Sequence, residues 1–177
     1  MGKDKAWLEI GGRPMIELVI AELLRLTPQV SIIANDPEYN RLRLPVVSDV
    51  NRGIGPLEAI RTALANSLSD RVVLVACDLP FVTAELLKSL VGITGYEAVV
   101  PMSVDDKVEP LCAVYSIEAL SPVSSLIVDG GRKVRLLLDR LRTRMVPFEE
   151  LRHLPGSERF FVNVNTIEDY ARAIEIA

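Results

Sequence analysis

Apolar residues recur at steps of three and four at Met15, Ile16, Val19, Leu23 and Leu26, which predicts an amphipathic helix that stops before Pro28. Gly11-Gly12-Arg13-Pro14 closes a short apolar stretch at 6–10 and places a proline where a helix accepts one. Residues 30–34 are rich in β-branched side chains, as a strand covered on both faces would be. The polar segment 36–44 reads as loop with a single helical turn, 45–48 as a short strand, and 49–55 as a turn-rich loop. Pro56 opens a second helix to about 68, and 72–76 is the most apolar strand, ending at Cys77-Asp78-Leu79-Pro80. Thr83 can cap a helix reaching about 91. Strands follow at 98–102 and 111–115, joined by an Asp105-Asp106-Lys107 turn.

Ser121-Pro122 opens a helix that Gly130-Gly131 closes, and Val134, Leu137, Leu138 and Leu141 mark another. Short strands are expected at 143–147 and 160–164, and Thr166-Ile167-Glu168-Asp169 has the form of a capping signal for a last helix. Alternation of strand and helix throughout predicts one three-layer α/β domain over 1–177, with a mostly parallel sheet.

The composition supports a packed core. Of 177 residues, 49% are apolar and 25% charged, which argues against disorder and coiled coil. A net charge of -4 argues against a broad face for long nucleic acid, although it does not exclude a local anion pocket. Two cysteines, Cys77 and Cys112, are too few for a disulfide framework and suggest a reducing, cytoplasmic compartment. No apolar run approaches the roughly 20 residues of a membrane-spanning helix, and the charged start is followed by no signal-type apolar core.

Three segments carry candidate chemistry: Met1-Gly2-Lys3-Asp4-Lys5, Asp49 with Gly53-Ile54-Gly55-Pro56-Leu57, and Cys77-Asp78-Leu79-Pro80-Phe81. Taken singly, the glycines are what a tight turn uses, and an acid after a strand serves as a cap as readily as a metal ligand. Together they supply backbone amides, a helix N-terminus, a lysine and a carboxylate at the carboxyl end of a strand, the parts of a nucleotide phosphate site.

The ordered motifs Met-Gly-x-Asp-Lys, Leu-Glu-Ile-Gly-Gly-Arg-Pro, Asp49, Gly-Pro-Leu, Cys-Asp-Leu-Pro-Phe and Phe-Val-Asn-Val-Asn-Thr resemble those of the molybdenum-cofactor guanylyltransferases, from Met1 to Tyr170. Cytidylyl-transferring relatives tend to have Asp-Gln-Pro and Asp-x-Asp-Thr where this chain has Asp78-Leu79-Pro80 and Asn163-Val164-Asn165-Thr166, which favours guanine. The resemblance implies a Rossmann-like nucleotidyltransferase fold, Mg²⁺ as cofactor, and transfer of GMP from GTP to molybdopterin with release of pyrophosphate. It also implies partners that deliver molybdopterin or receive the finished cofactor.

On this resemblance Asp78 holds Mg²⁺ and Lys5 adds charge on the phosphates. Asp49 reads guanine, Gly55, Pro56 and Leu57 bring backbone to the nucleotide, and Asn35 is a further nucleotide contact. Arg132, Asn163 and Asn165 face the acceptor. His153 is expected in a surface loop, Cys77 as a small buried residue and Trp7 in packing.

Two departures qualify the match. Ala59 stands where the family carries a second glycine, and the chain opens inside the family's strand and glycine-rich loop, so the domain reads as N-terminally incomplete. The alternatives are cytidylyl or other nucleotidyl transfer to a different small phosphate, or a non-catalytic nucleotidyltransferase-like subunit.

Overall fold

A computed structural model describes residues 4–49 and 53–177. Met1, Gly2 and Lys3 of the first motif, and residues 50–52 of the loop at 49–55, lie outside the described residues. The strands are β1 (Glu9–Ile10), β2 (Arg13–Pro14), β3 (Ile32–Ile33), β4 (Val46–Val47), β5 (Arg71–Val75), β6 (Ala98–Pro101), β7 (Cys112–Ser116) and β8 (Thr143–Val146). The helices are α1 (Met15–Leu26), α2 (Pro56–Ala65), α3 (Ala84–Gly92), α4 (Leu120–Val128), α5 (Val134–Leu138), α6 (Phe148–Leu151) and α7 (Ile167–Glu175).

Among the described residues the main sheet has four strands in the order β5-β7-β6-β8. Alternation along these strands sends side chains to two separate cores. Val72, Leu74, Ala98, Val100, Ala113 and Tyr115 pack with Leu57, Ile60 and Leu64 of α2, Val123 and Leu126 of α4, and Leu137 and Leu138 of α5. The intervening Val73, Val75, Val99, Cys112, Val114 and Val146 pack with Val19 of α1, Leu86, Leu87 and Leu90 of α3, and Leu151 of α6. Helices therefore cover both faces, which is the expected three-layer α/β architecture.

The sheet is mixed rather than mostly parallel. β7 runs antiparallel to both β5 and β6, and β8 runs parallel to β6. The local cause is the turn between β6 and β7: Ser103 N–H donates to Lys107 O, Asp106 adopts φ 57°, and Met102 bridges Val108 antiparallel. A connection this short reverses the chain and cannot make a parallel crossover. Separately, β3 pairs β4 in parallel, and β1 pairs β2 antiparallel.

A second correction concerns 160–164, which forms no strand. Phe160 is fully buried beneath α3 and α6, Val162 N–H turns back to Arg159 O, and Val164 N–H donates to Asp78 O at 3.0 Å. The apolar run is there to fill the core under the loop after β5, so its backbone bonds that loop instead of a ladder. Helix starts follow their caps: Thr83 accepts from Leu86 N–H, and Thr166 and Asp169 form a reciprocal capping box. Among the described residues no helix is long and apolar enough to cross a membrane.

Candidate active site

β5 is held by β7 in the sheet and through its own Arg71, whose guanidinium donates at 2.7 Å to the carbonyls of Val91, in the last turn of α3, and Ile93, just after it. The chain leaves this anchored strand in a tight turn that carries Cys77 and Asp78. Asp78 is therefore presented by a rigid element, and its carbonyl is fixed by Val164 N–H.

Lys5 reaches the same point from the other end of the sequence. Its Nζ donates to Asp78 Oδ2 at 2.7 Å and to Asn165 Oδ1 at 2.6 Å, and Asn165 Nδ2 donates to Asn163 Oδ1 at 2.7 Å. Four residues proposed from sequence thus form one chain of hydrogen bonds, Asp78–Lys5–Asn165–Asn163. Lys5 is one-third exposed and Asp78 is 16% exposed, so the ion pair is open to a ligand on one side. Two residues that the sequence reading gave no role hold Lys5 in place. Asp4 caps the helical turn Lys5–Trp7 by accepting from Ala6 N–H, and its other oxygen accepts from the Tyr39 hydroxyl at 2.6 Å. Burial, reinforced by Asp4, pushes the Tyr39 hydroxyl well above the usual phenol range, so it remains a donor. An Asp before a helical turn was a legible cap signal; its distant tyrosine partner was not.

Asn165 is positioned from the far side by α7, because Asp169 Oδ2 accepts from both Asn165 N–H and Thr166 N–H. These backbone bonds hold the Asp169 carboxyl below its ordinary range.

The remaining sequence candidates lie outside this chain of hydrogen bonds. Asp49 Oδ1 accepts from the Thr62 hydroxyl at 3.0 Å, which ties it to α2. Gly55 caps α2 with φ 80° and ψ -148°, a conformation that glycine adopts readily, and Pro56 follows at the first helical position. A Cβ at Gly55 would meet nothing within 4 Å, so its requirement is conformational rather than steric. Leu57 is fully buried in the core, which leaves only its backbone N–H, at the start of α2, to face a ligand. Asn35 sits in an exposed bend after β3. Arg132 is exposed and donates to the carbonyl of Gly131 rather than to the cluster. Cys77 packs with Ala6 and Ile32, and burial pushes its thiol up to about 11, the behaviour of a packing residue. Trp7 packs on Tyr39 with ring centroids 5.1 Å apart, and His153 is exposed in a turn.

Asp78 Oδ1 is buried and has no hydrogen-bond partner among the described residues. A carboxylate oxygen in that state suits a divalent cation whose remaining ligands come from phosphate oxygens and water. Among the described residues no group of three or more His, Cys, Asp or Glu side chains is placed to hold a metal ion.

A carboxylate after a sheet strand, a lysine bonded to it and two asparagine amides in one hydrogen-bonded chain are side chains of the kind a nucleotide phosphate site uses. The family model for the MobA-like NTP transferase domain matches residues 1–145. A probable molybdenum cofactor guanylyltransferase of Carboxydothermus hydrogenoformans is 32% identical over 176 residues, 99% of this chain and 89% of that one. The molybdenum cofactor guanylyltransferase of Serratia proteamaculans is 30% identical, over 97% of this chain and 85% of its own. The crystal structure of molybdopterin-guanine dinucleotide biosynthesis protein A from Archaeoglobus fulgidus superposes with a TM-score of 0.85 at 30% identity, covering 99% of this chain and 91% of that one. The chain belongs to the MobA-like NTP transferase family, and it is a nucleotidyltransferase.

Proposed function

We propose that this protein transfers GMP from GTP to the terminal phosphate of molybdopterin, forming molybdopterin guanine dinucleotide and pyrophosphate. The observation that carries the reading is the Asp78–Lys5–Asn165–Asn163 chain, assembled from three distant motifs in a protein similar along its whole length to guanylyltransferases.

An acceptor phosphate oxygen attacks the α-phosphorus of GTP, a new P–O bond forms, and the bond to the β-phosphate oxygen breaks with its electron pair leaving on pyrophosphate. The acceptor oxygen is already ionised near neutral pH, so no general base is required. The protein's task is to align two polyanions and offset their repulsion. Lys5 supplies a point charge whose direction is fixed by Asp78 and Asn165. The first N–H groups of α2, opened by Gly55, offer a second anion contact. Asp49 accepts the N1 and N2 hydrogens of guanine, a donor pair that adenine lacks. Asn163 and Asn165 supply amide donors towards the acceptor phosphate. Mg²⁺, held by Asp78 through Oδ1, would supply further neutralisation of the triphosphate.

Incubation with molybdopterin, Mg²⁺ and GTP should release pyrophosphate and yield the guanine dinucleotide. Replacing GTP with CTP should give much slower release. Equal or faster turnover with CTP would overturn the guanine assignment.

A further inference from the structure

Beside the cluster lies a cavity of about 580 Å³. Asn163 joins the two, since it lines the cavity and its Oδ1 accepts from Asn165 in the hydrogen-bonded chain that ends at Asp78. Phe148 and Phe161 are among the residues that line it, which gives the cavity an aromatic character suited to a flat ring system.

Two polar side chains on the lining have no partner among the described residues. Ser103 is 8% exposed, and its hydroxyl is buried with no hydrogen-bond partner among the described residues. Glu109 is half-buried and enters no hydrogen bond or ion pair through its side chain among the described residues. Burial, and then the neighbouring charge of Asp78, push the Glu109 carboxyl above its ordinary range. A carboxylate kept half out of water without a donor is unfavourable unless a ligand brings one.

We propose that this cavity is the ring-binding site for the acceptor, taking a flat bicyclic heterocycle with a 2-amino-4-oxopyrimidine edge. Glu109 accepts the paired N–H donors of that edge, and Ser103 bonds a further ring heteroatom. The inference rests on the guanylyltransferase reading for the direction of the acceptor's phosphate, which from this cavity reaches Asn163 and Asn165. Guanine carries the same edge as a pterin. The occupant proposed is the acceptor's pterin, because Asp49, the candidate guanine contact, is tied to Thr62 of α2 and does not line this cavity.

The test is steady-state kinetics of Glu109→Gln and Ser103→Ala with molybdopterin and GTP varied in turn, together with fluorescence titration of the wild-type protein by pterin-6-carboxylate. Loss of a charge-assisted bond pair should raise KM for molybdopterin about tenfold in Glu109→Gln, and loss of a neutral bond about threefold in Ser103→Ala. KM for GTP should stay within about twofold, and kcat should change less than KM, which a merely structural defect would not produce. Pterin-6-carboxylate should bind the wild-type protein and remain bound when GTP is added.

Unchanged acceptor KM in both variants, a raised KM for GTP, or displacement of the pterin by GTP would each overturn the assignment. If Glu109→Gln does not fold, Ser103→Ala and the wild-type titration decide the matter alone. Failure of the underlying reading has its own signature: pterin binds and Glu109→Gln weakens it, yet no guanine dinucleotide forms.

Discussion

Lys5 Nζ lies 2.7 Å from Asp78 Oδ2, although 73 positions separate the two residues. The pair leaves Asp78 Oδ1 buried and without a hydrogen-bond partner among the described residues, while Lys5 retains its second bond to Asn165. One carboxylate oxygen thus orients the lysine, and the other is the one proposed to meet a cation.

Asp78→Ala and Asp78→Asn should each lower pyrophosphate release about 100-fold or more, the usual cost of deleting a preorganised electrostatic group. Both variants should melt close to the wild type, because Asp78 contributes little packing. Turnover unchanged at saturating Mg²⁺ would count against a metal role.

The Tyr39 hydroxyl anchors the loop that carries Lys5 without touching the reacting groups. Tyr39→Phe should lose a hydrogen bond to a charged group, about 1.5 kcal/mol, and lower Tm by about 4 °C. Lys5→Ala should instead depress transfer strongly at nearly unchanged Tm. Thermal melts alongside single-turnover rates separate the two effects.

Asp49→Asn should relax nucleotide choice. The amide oxygen can still accept, but the charge that rewards two guanine donors is gone. The ratio of kcat/KM for GTP to that for ATP should fall about tenfold. An identical ratio would leave Asp49 only its bond to Thr62.

The capping box that positions Asn165 has a pH signature. Asp169 has a lowered folded-state pKa through its bonds from Thr166 and Asn165 backbone N–H groups. Its contribution to stability is therefore present above the ordinary aspartate pKa and is lost as pH falls through the lowered value. The Tm difference between wild type and Asp169→Asn should hold steady from about pH 5 to 8 and shrink below about pH 4. Thr166→Ala should cost about 1 kcal/mol across that whole range.

Cys77 should alkylate slowly. With its thiol pushed up to about 11, modification by iodoacetamide should keep rising by about tenfold per pH unit through pH 9 and 10. Peptide mapping distinguishes it from fully buried Cys112. A plateau near pH 8.5 would mean an ordinary, accessible thiol.

Local order in the sequence determined the elements and their layering. The three- and four-residue spacing of Met15, Ile16, Val19 and Leu23, the caps Thr83 and Thr166, and Pro56 behind Gly55 each act within a few residues, where backbone hydrogen bonding and periodic burial are decided. The motifs also marked the right parts of the chain for the cluster, since Lys5, Asp78, Asn163 and Asn165 stand in segments whose polarity a bland core does not require. Only the tertiary structure decided what those segments do together. The run 160–164 has strand-like residues, yet Phe160 fills a core and Val164 bonds the loop of Asp78, because burial of the apolar run was satisfied there without a ladder. The short turn at Ser103–Lys107 made the sheet mixed and brought Ser103 and Glu109 to the wall of one cavity with Asn163, more than 50 positions on. Periodicity records which face of an element is buried, whereas strand order determines which elements meet, and the site is built where they meet.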